Sequence, residues 1–175
     1  MRTRSRAAGV WVCAWVALAP GCALTARVEV GPTLDTDGAL GVEARLRGTF
    51  GPGNDTGAWT AGAYGSVGGA DAPDRELAGG FGGVIGADGI FDDHSHVHGE
   101  LLLGARSEAG RWLGALGVQL GAGYALLDER GRRRAFLGRP RLGLILGLDL
   151  RVEYVWGAGD RALFALPVYL ALYRT

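Results

Sequence analysis

The sequence contains no lysine, and it is poor in cysteine and histidine, with two and three of them among 175 residues. Without lysine the chain lacks the phosphate-binding residue of a P-loop, although several glycine clusters would otherwise suggest one. One of the two cysteines, Cys13, lies in an N-terminal apolar run that we expect to be removed. Cys22 would then be the single cysteine of the remaining chain, which excludes a disulfide framework.

An excess of positive charge and a supply of serine are also missing. Removal of residues 1–21 leaves 15 arginines against 18 acidic residues, a balance that excludes a basic surface for nucleic acid. Three serines remain, Ser66, Ser95 and Ser107, and none lies in the Gly-x-Ser-x-Gly turn that exposes a catalytic serine. We therefore expect a protein that is not an enzyme and that needs no cofactor.

The first residues are typical of an export signal. Three arginines within residues 1–6 precede an apolar run over residues 7–18, which is too short to span a bilayer as a helix. The run ends in Leu-Ala-Pro-Gly, directly before Cys22. This segment resembles the lipobox of bacterial lipoproteins, which implies that residues 1–21 are removed as a signal peptide and that Cys22 is lipidated. The alternative is an ordinary secretory signal that is cleaved nearby, after one of the small residues.

Apolar residues and glycine dominate the composition. The hydrophobic class makes up 48% of the residues, and a further 32 residues are glycine. A typical soluble domain has about 45–50% apolar residues with glycine included. Glycine weakens a helix by about 1 kcal/mol per interior site, whereas small residues on one face of a strand fit a barrel with a narrow lumen.

Apolar and polar residues alternate with a period of two along most of the chain, which predicts strands with two different faces. The pattern is clearest over residues 39–50, and over residues 141–156 every second residue is large and apolar without a change of phase. Such strands are long for a globular sheet, where about five or six residues are usual, but they suit a tilted membrane strand. Eight strands are predicted, over residues 26–34, 39–50, 58–68, 76–87, 96–106, 111–126, 141–156 and 162–173.

The predicted fold class is all-β, an antiparallel up-and-down β-barrel of eight strands over residues 26–175, with residues 22–25 as lipidated N-terminus and short linker. The less apolar face of the strands bears charges of both signs, which can pair across a narrow lumen. This polar network comprises Glu43, Arg45, Arg47, Glu100, Arg106, Asp149, Arg151 and Glu153. Aromatic residues near the strand ends predict two interfacial girdles. One girdle comprises Phe50, Trp59, Tyr124 and Phe136, and the other comprises Trp112 and Trp156.

The pattern over residues 26–173 resembles that of small eight-stranded outer-membrane β-barrels. The resemblance implies localisation in the cell outer membrane, contact with its lipids, anchoring through Cys22, and a structural or interaction role with a plugged lumen. The alternative is a tethered soluble, lipocalin-like barrel whose apolar face encloses a hydrophobic small molecule. In either case the longer connections are predicted at the end where Cys22 lies, near residues 51–57, 88–95 and 127–135.

All three histidines lie close together, at His94, His96 and His98. In an extended strand the three imidazoles share one face, and imidazole nitrogens bind Zn²⁺, Cu²⁺ or Ni²⁺. Same-face neighbours are nearly 7 Å apart along a strand, so the three rings need a bend in order to converge. The favoured interpretation is a polar loop that runs into a lumen-facing strand, and metal binding is the alternative hypothesis.

Overall fold

The computed structural model describes residues 22–53, 57–72, 77–91, 94–128, 142–157 and 159–174. The predicted signal peptide, residues 1–21, lies outside the described residues. Within them no helix is long and apolar enough to cross a membrane. The described strands are β1 (Cys22–Asp35), β2 (Leu40–Pro52), β3 (Gly57–Ala70), β4 (Ala78–Phe91), β5 (Ser95–Glu108), β6 (Arg111–Asp128), β7 (Leu142–Trp156), β8 (Arg161–Ala165) and β9 (Val168–Arg174).

The strands form one closed sheet. Each strand from β1 to β7 pairs antiparallel with the next one along the chain, and β8 and β9 both pair with β7 on one side and with β1 on the other. Therefore β8 and β9 are two halves of one strand, and the fold is a closed, eight-stranded antiparallel β-barrel. The prediction of an all-β barrel of eight strands is confirmed.

The eighth strand, predicted as continuous over residues 162–173, is interrupted at Leu166 and Pro167. Proline has no N–H to donate to a neighbouring strand, so it removes a ladder hydrogen bond where it occurs in a sheet. The neighbours compensate for the break, because Leu166 N donates to Pro32 O over 3.2 Å and Asp149 N donates to Pro167 O over 2.9 Å. The barrel therefore stays closed at this point, and only the regular pattern of backbone hydrogen bonds between strands is interrupted.

Two predicted boundaries are wrong, since strands extend further than the alternation suggested. Strand β1 begins at Cys22, which lies opposite Pro52, so residues 22–25 belong to the wall and do not form a linker. Strand β4 continues to Phe91, and most of the loop predicted at 88–95 is strand. Residues 129–141, which include Phe136 and most of the third predicted loop, lie outside the described residues.

The large apolar side chains point away from the lumen. In β1 exposed and buried residues alternate from Ala23 to Asp35, and the exposed set includes Val28 and Val30 while Arg27 and Glu29 are buried. The same inversion holds around the described wall, where most leucine, valine and aromatic side chains are exposed and charged ones are buried, although small apolar clusters such as Val84 with Leu102 also face inward. The lipocalin-like alternative is contradicted by this arrangement, because it requires the apolar face to line the interior.

Glycines on the inner face leave room for larger neighbours. A Cβ added to Gly82 would lie 2.7 Å from Gly104 Cα and 2.8 Å from Tyr64 Cε1, whereas one added to Gly83, which faces outward, would have Gly62 O at 3.8 Å as its nearest neighbour. Small residues on the inner face are therefore required by the space available.

A matched pair of substitutions tests this requirement. We expect Gly82→Ala to lower the free energy of unfolding by about 1–3 kcal/mol through overpacking, and Gly83→Ala to change it by less than about 0.5 kcal/mol. Urea titration of the refolded barrel, followed by tryptophan fluorescence, measures both variants. Equal effects at the two positions would show that the lumen tolerates a methyl group.

Candidate functional site

The interior of the barrel contains many arginine and carboxylate side chains, together with small clusters of buried apolar residues. Six arginines and eight carboxylates face inward from the described strands, all of them buried except Asp88, whose side chain is 12% exposed. They are Arg27, Arg45, Arg47, Arg106, Arg151 and Arg161 together with Glu29, Asp35, Glu43, Asp88, Glu100, Glu108, Asp149 and Glu153. We call this set the charged network, and it contains all eight residues that the sequence placed in a lumen network.

Glu43 lies at the centre of the charged network. Its two carboxylate oxygens contact three arginines that come from different strands, with Arg106 at 2.6 Å, Arg151 at 2.7 Å and Arg45 at 3.1 Å. Arg45 also contacts Glu153. A buried carboxylate with three guanidinium partners is compensated by charge-assisted hydrogen bonds, which are the strongest kind that a protein makes.

The network extends from Glu43 towards the turns that join β1 to β2 and β5 to β6. Arg106 donates from Nε to Glu108 over 2.9 Å, and Arg161 of β8 pairs with the other oxygen of Glu108. Arg161 also lies 3.9 Å from Asp35 at the end of β1. These contacts join β1, β5 and β8 across the end of the barrel opposite to Cys22.

The network also extends towards the end of the barrel where β1 begins, which we call the Cys22 end. Arg47 pairs with Glu29 at 2.9 Å and with Glu100 on the far wall. Gln119 then donates to both Glu29 and Asp149, so that an amide bridges two carboxylates. The charged network is therefore continuous across the lumen, and it joins strands that are not neighbours in the sheet.

Such an arrangement fixes the strands and blocks the lumen. Each buried charge costs several kcal/mol of desolvation unless it is paired and hydrogen-bonded, and here the partners come from opposite walls. Arg45 also stacks over the Tyr64 ring, with 4.1 Å between the guanidinium carbon and the ring centroid. The side chains that would otherwise line a water-filled channel are thus bonded to one another.

A group of potential metal ligands lies near the Cys22 end, consisting of Asp88, His96 and His98, which we call the histidine cluster. One ligand atom from each of the three residues lies within 4.8 Å of the other two. His96 Nε2 lies 3.4 Å from Asp88 Oδ1, and His98 Nε2 lies 3.2 Å from Asp149 Oδ1. Buried imidazoles are thus held close to carboxylates on two walls.

The structure does not bring His94 into this cluster. His94 is exposed, and its ring stacks on that of Tyr124 with 5.3 Å between the centroids. Strand β5 begins at Ser95, so His94 belongs to the preceding turn and does not share the inward face of the strand. The alternative hypothesis of a metal site at His94, His96 and His98 does not match this arrangement, in which Asp88 instead of His94 lies with His96 and His98.

The alternation itself could have identified three inward residues that the sequence analysis missed. Gln119 lies between the apolar residues Val118 and Leu120, and Tyr169 of β9 also lies between two apolar residues. Asp88 was assigned to a loop, because the predicted fourth strand ended one residue before it. Extending the period of two through the glycines of β4 would have placed Asp88 on the lumen face.

Aromatic side chains surround the outer wall at both ends. Phe50, Trp59 and Tyr124 are exposed towards the Cys22 end, and Trp112 and Trp156 are exposed towards the opposite end. Aromatic belts at two heights on an apolar wall are typical of barrels that cross a membrane.

Comparison with known proteins agrees with this architecture. No family model and no curated protein matches the sequence. Among solved structures, the crystal structure of Neisserial surface protein A superposes with a TM-score of 0.54 at 16% sequence identity, covering 86% of this chain and 96% of that one. The chain has the fold of a small outer-membrane β-barrel.

Two further structures match this outer-membrane-type barrel over most of its length. A de novo designed transmembrane β-barrel is 15% identical, with a TM-score of 0.40 and coverage of 90% of this chain and 98% of the design. The β-domain of the Bordetella autotransporter BrkA is 12% identical, with a TM-score of 0.43 and coverage of 88% and 98%. At these identities the likeness concerns the fold alone.

Proposed function

We propose that this chain is an outer-membrane β-barrel protein, lipid-anchored through Cys22, with a structural or interaction role and no enzymatic activity. The observation that supports the proposal most directly is the inverted distribution of side chains, with an apolar outer wall and a charged interior. In water this distribution would expose most of the leucine and valine of the protein. In a bilayer it satisfies both faces of every strand.

The dimensions of the wall support a membrane location. Strands β1 to β7 contain between 13 and 18 residues, and a tilted strand needs about 9–11 residues to cross the apolar layer. The surplus residues extend into the interfaces, where the exposed aromatic side chains lie. The apolar wall and the two aromatic girdles therefore match the thickness of a membrane.

The position of Cys22 supports lipid anchoring. Cys22 is the first residue of β1, and it has the same parity as Leu24 and Val28, whose side chains face outward. Acyl chains on this cysteine would start at the rim of the wall and enter the same leaflet that the wall contacts. Two or more such chains make a stable anchor, so the lipid and the barrel would reinforce each other.

The charged network supports a role other than transport. Side chains from opposite walls bond across the lumen at several heights, at Arg45 and Glu153, at Arg47 and Glu100, and at Gln119 and Glu29. A solute would have to break these pairs and leave buried charges uncompensated. The surfaces that remain for interaction are the outer wall, with its lipids, and the loops at the two ends.

Export of a Cys22→Ala variant behind a conventional signal peptide tests the proposal. We expect the variant to remain in isolated outer membranes after washing with urea or alkaline carbonate, and to migrate faster on a gel when unheated than when boiled. The wild-type protein is the control for export. A folded β-protein that washes off would mean that the acyl chains are the sole anchor, and that the wall does not enter the bilayer.

A further inference from the structure

The formal charges of the described inward side chains do not balance. Six arginines face eight carboxylates among the described inward residues, which leaves an excess of two negative charges if both buried histidines are neutral. A buried charge without compensation is unfavourable by several kcal/mol. Such an excess favours the binding of a cation where suitable ligands lie close together.

The histidine cluster supplies ligands of suitable type and spacing. Zn²⁺ binds imidazole nitrogen and carboxylate oxygen at about 2.0–2.2 Å, so two ligand atoms of a tetrahedral site are about 3.3–3.6 Å apart. The ligand atoms of Asp88, His96 and His98 all lie within 4.8 Å of one another. Side-chain movements of less than about 1 Å would close the set around a single ion.

Two buried polar atoms of the histidine cluster also favour a metal site there. His98 Nδ1 and Asp88 Oδ2 are buried, and neither has a hydrogen-bond partner among the described residues. His98 is 5% exposed as a residue, so water at the surface does not provide a partner. A buried nitrogen and a buried carboxylate oxygen that lack partners are unfavourable in the protein alone, and coordination of a cation would satisfy both.

Neighbouring side chains hold the two imidazoles in the way that metal sites require. Ligating histidines usually bond to a carboxylate or another polar group through their second ring nitrogen, which fixes the ring and its tautomer. Asp149 Oδ1 lies 3.2 Å from His98 Nε2, and the Tyr169 hydroxyl lies 3.0 Å from His96 Nδ1. His96 Nε2 and His98 Nδ1 are the ring nitrogens left for a metal, and binding through His98 Nδ1 requires the tautomer in which Nε2 donates to Asp149 and no longer accepts from Arg27.

Arg27 is the group that competes with a cation at this position. Its guanidinium lies 3.4 Å from Asp88 Oδ1 and contacts His98 Nε2. It also stacks over the Tyr169 ring at 4.5 Å and lies 3.8 Å from Asp149. Arg27 therefore has partners on two sides. It can keep its contacts with Asp149 and Tyr169 when a cation displaces it from Asp88.

The cluster is close to an opening of the barrel. His96 is the second residue of β5, and Asp88 is the fourth residue from the end of β4. At about 3.3 Å per residue, both lie within about 10 Å of the rim at the Cys22 end. The histidine cluster therefore lies nearer to the rim at the Cys22 end than Glu43, the centre of the charged network, does.

We propose that Asp88, His96 and His98 form a binding site for one divalent transition-metal ion, of the kind that prefers imidazole and carboxylate ligands, such as Zn²⁺ or Ni²⁺. The site has three protein ligands, and water completes the coordination. The ion neutralises the excess negative charge of the interior and cross-links β4 to β5 at the Cys22 end. This inference does not depend on the membrane location of the barrel.

Calorimetric titration of the detergent-extracted full-length protein with ZnCl₂ tests the site. We expect one ion to bind per chain in the wild type, and His96→Ala or Asp88→Asn to weaken binding by at least about 100-fold, because even outer-shell changes weaken metal sites by about 10–100-fold. His94→Ala is the matched control, since it removes the one histidine outside the cluster, and it should bind like the wild type. We expect Tyr169→Phe to bind Zn²⁺ about tenfold more weakly than the wild type.

A second measurement keeps the test independent of folding defects. Bound metal raises the resistance of a protein to unfolding, so Zn²⁺ should raise the unfolding temperature of the wild type and of His94→Ala, but not that of Asp88→Asn. The faster migration of unheated protein on a gel verifies that each variant is folded. Absence of saturable Zn²⁺ binding by the folded wild type, or an equal loss in His94→Ala and His96→Ala, would overturn the proposal.

Discussion

Replacing Glu43 by glutamine is expected to lower the free energy of unfolding by about 3–5 kcal/mol, the usual cost of removing one partner from a buried ion pair. Glu43 contacts Arg45, Arg106 and Arg151 within 3.1 Å, and all three guanidinium groups are buried. Glutamine has the same shape but no charge, so the variant isolates the electrostatic contribution. Urea titration of the protein in lipid vesicles measures the effect.

The matched control is the same substitution at Glu100. Among the described residues Glu100 forms its ion pair with Arg47, and Arg47 keeps Glu29 as a second partner at 2.9 Å. We therefore expect Glu100→Gln to cost clearly less than Glu43→Gln. If the two variants lose the same stability, the centre of the network is no more important than its periphery, and the account of Glu43 is wrong.

Replacing Leu148 by arginine is expected to lower stability in a bilayer by about 2–4 kcal/mol, the cost of arginine on the lipid face of a barrel near the bilayer midplane. Leu148 lies near the middle of β7, pairs with Ala122 and Val168, and is half exposed on the outer wall. The comparison of unfolding in lipid vesicles with and without the substitution measures this cost.

Leu40→Arg is the control for depth. Leu40 is the first residue of β2, next to the turn at the end opposite to Cys22, and its side chain is also exposed on the outer wall. Near an interface the same change costs about 0–1 kcal/mol. Two equal, small effects would indicate that water surrounds the wall at both heights.

The architecture was readable from the sequence because one physical rule acts along the whole chain. An apolar exterior and a polar interior impose a period of two, and β7 follows it without a change of phase from Leu142 to Trp156. The rule is local, so it does not depend on knowing which strands meet. It predicted the strand number and the inward direction of Arg45, Arg151 and Glu153.

Features that depend on a partner strand were not readable in this way. The interruption at Pro167 is bridged by hydrogen bonds with Pro32 and Asp149, and only the register of the closed barrel brings these together. The register shift between Ala125 and Leu127 has no distinct signal in the alternation.

The histidine cluster shows the same limit. Spacing along one strand placed His94, His96 and His98 together, whereas the third potential ligand, Asp88, comes from the adjacent strand β4. Pairing of Asp88 with His98 in the ladder is a property of the β4–β5 register. A sequence pattern that examines one strand at a time does not contain it.

The ion pairs of the lumen also determine the order in which the barrel assembles. Arg45 with Glu153, and Arg151 with Glu43, each join residues that are 108 positions apart. Contacts of such high sequence separation form slowly, because the chain entropy of a long loop is lost before they appear. Until the first and last hairpins meet, the arginines and carboxylates have no partners across the lumen and must remain hydrated. We therefore expect closure of the barrel and dehydration of its interior to occur as a single cooperative step.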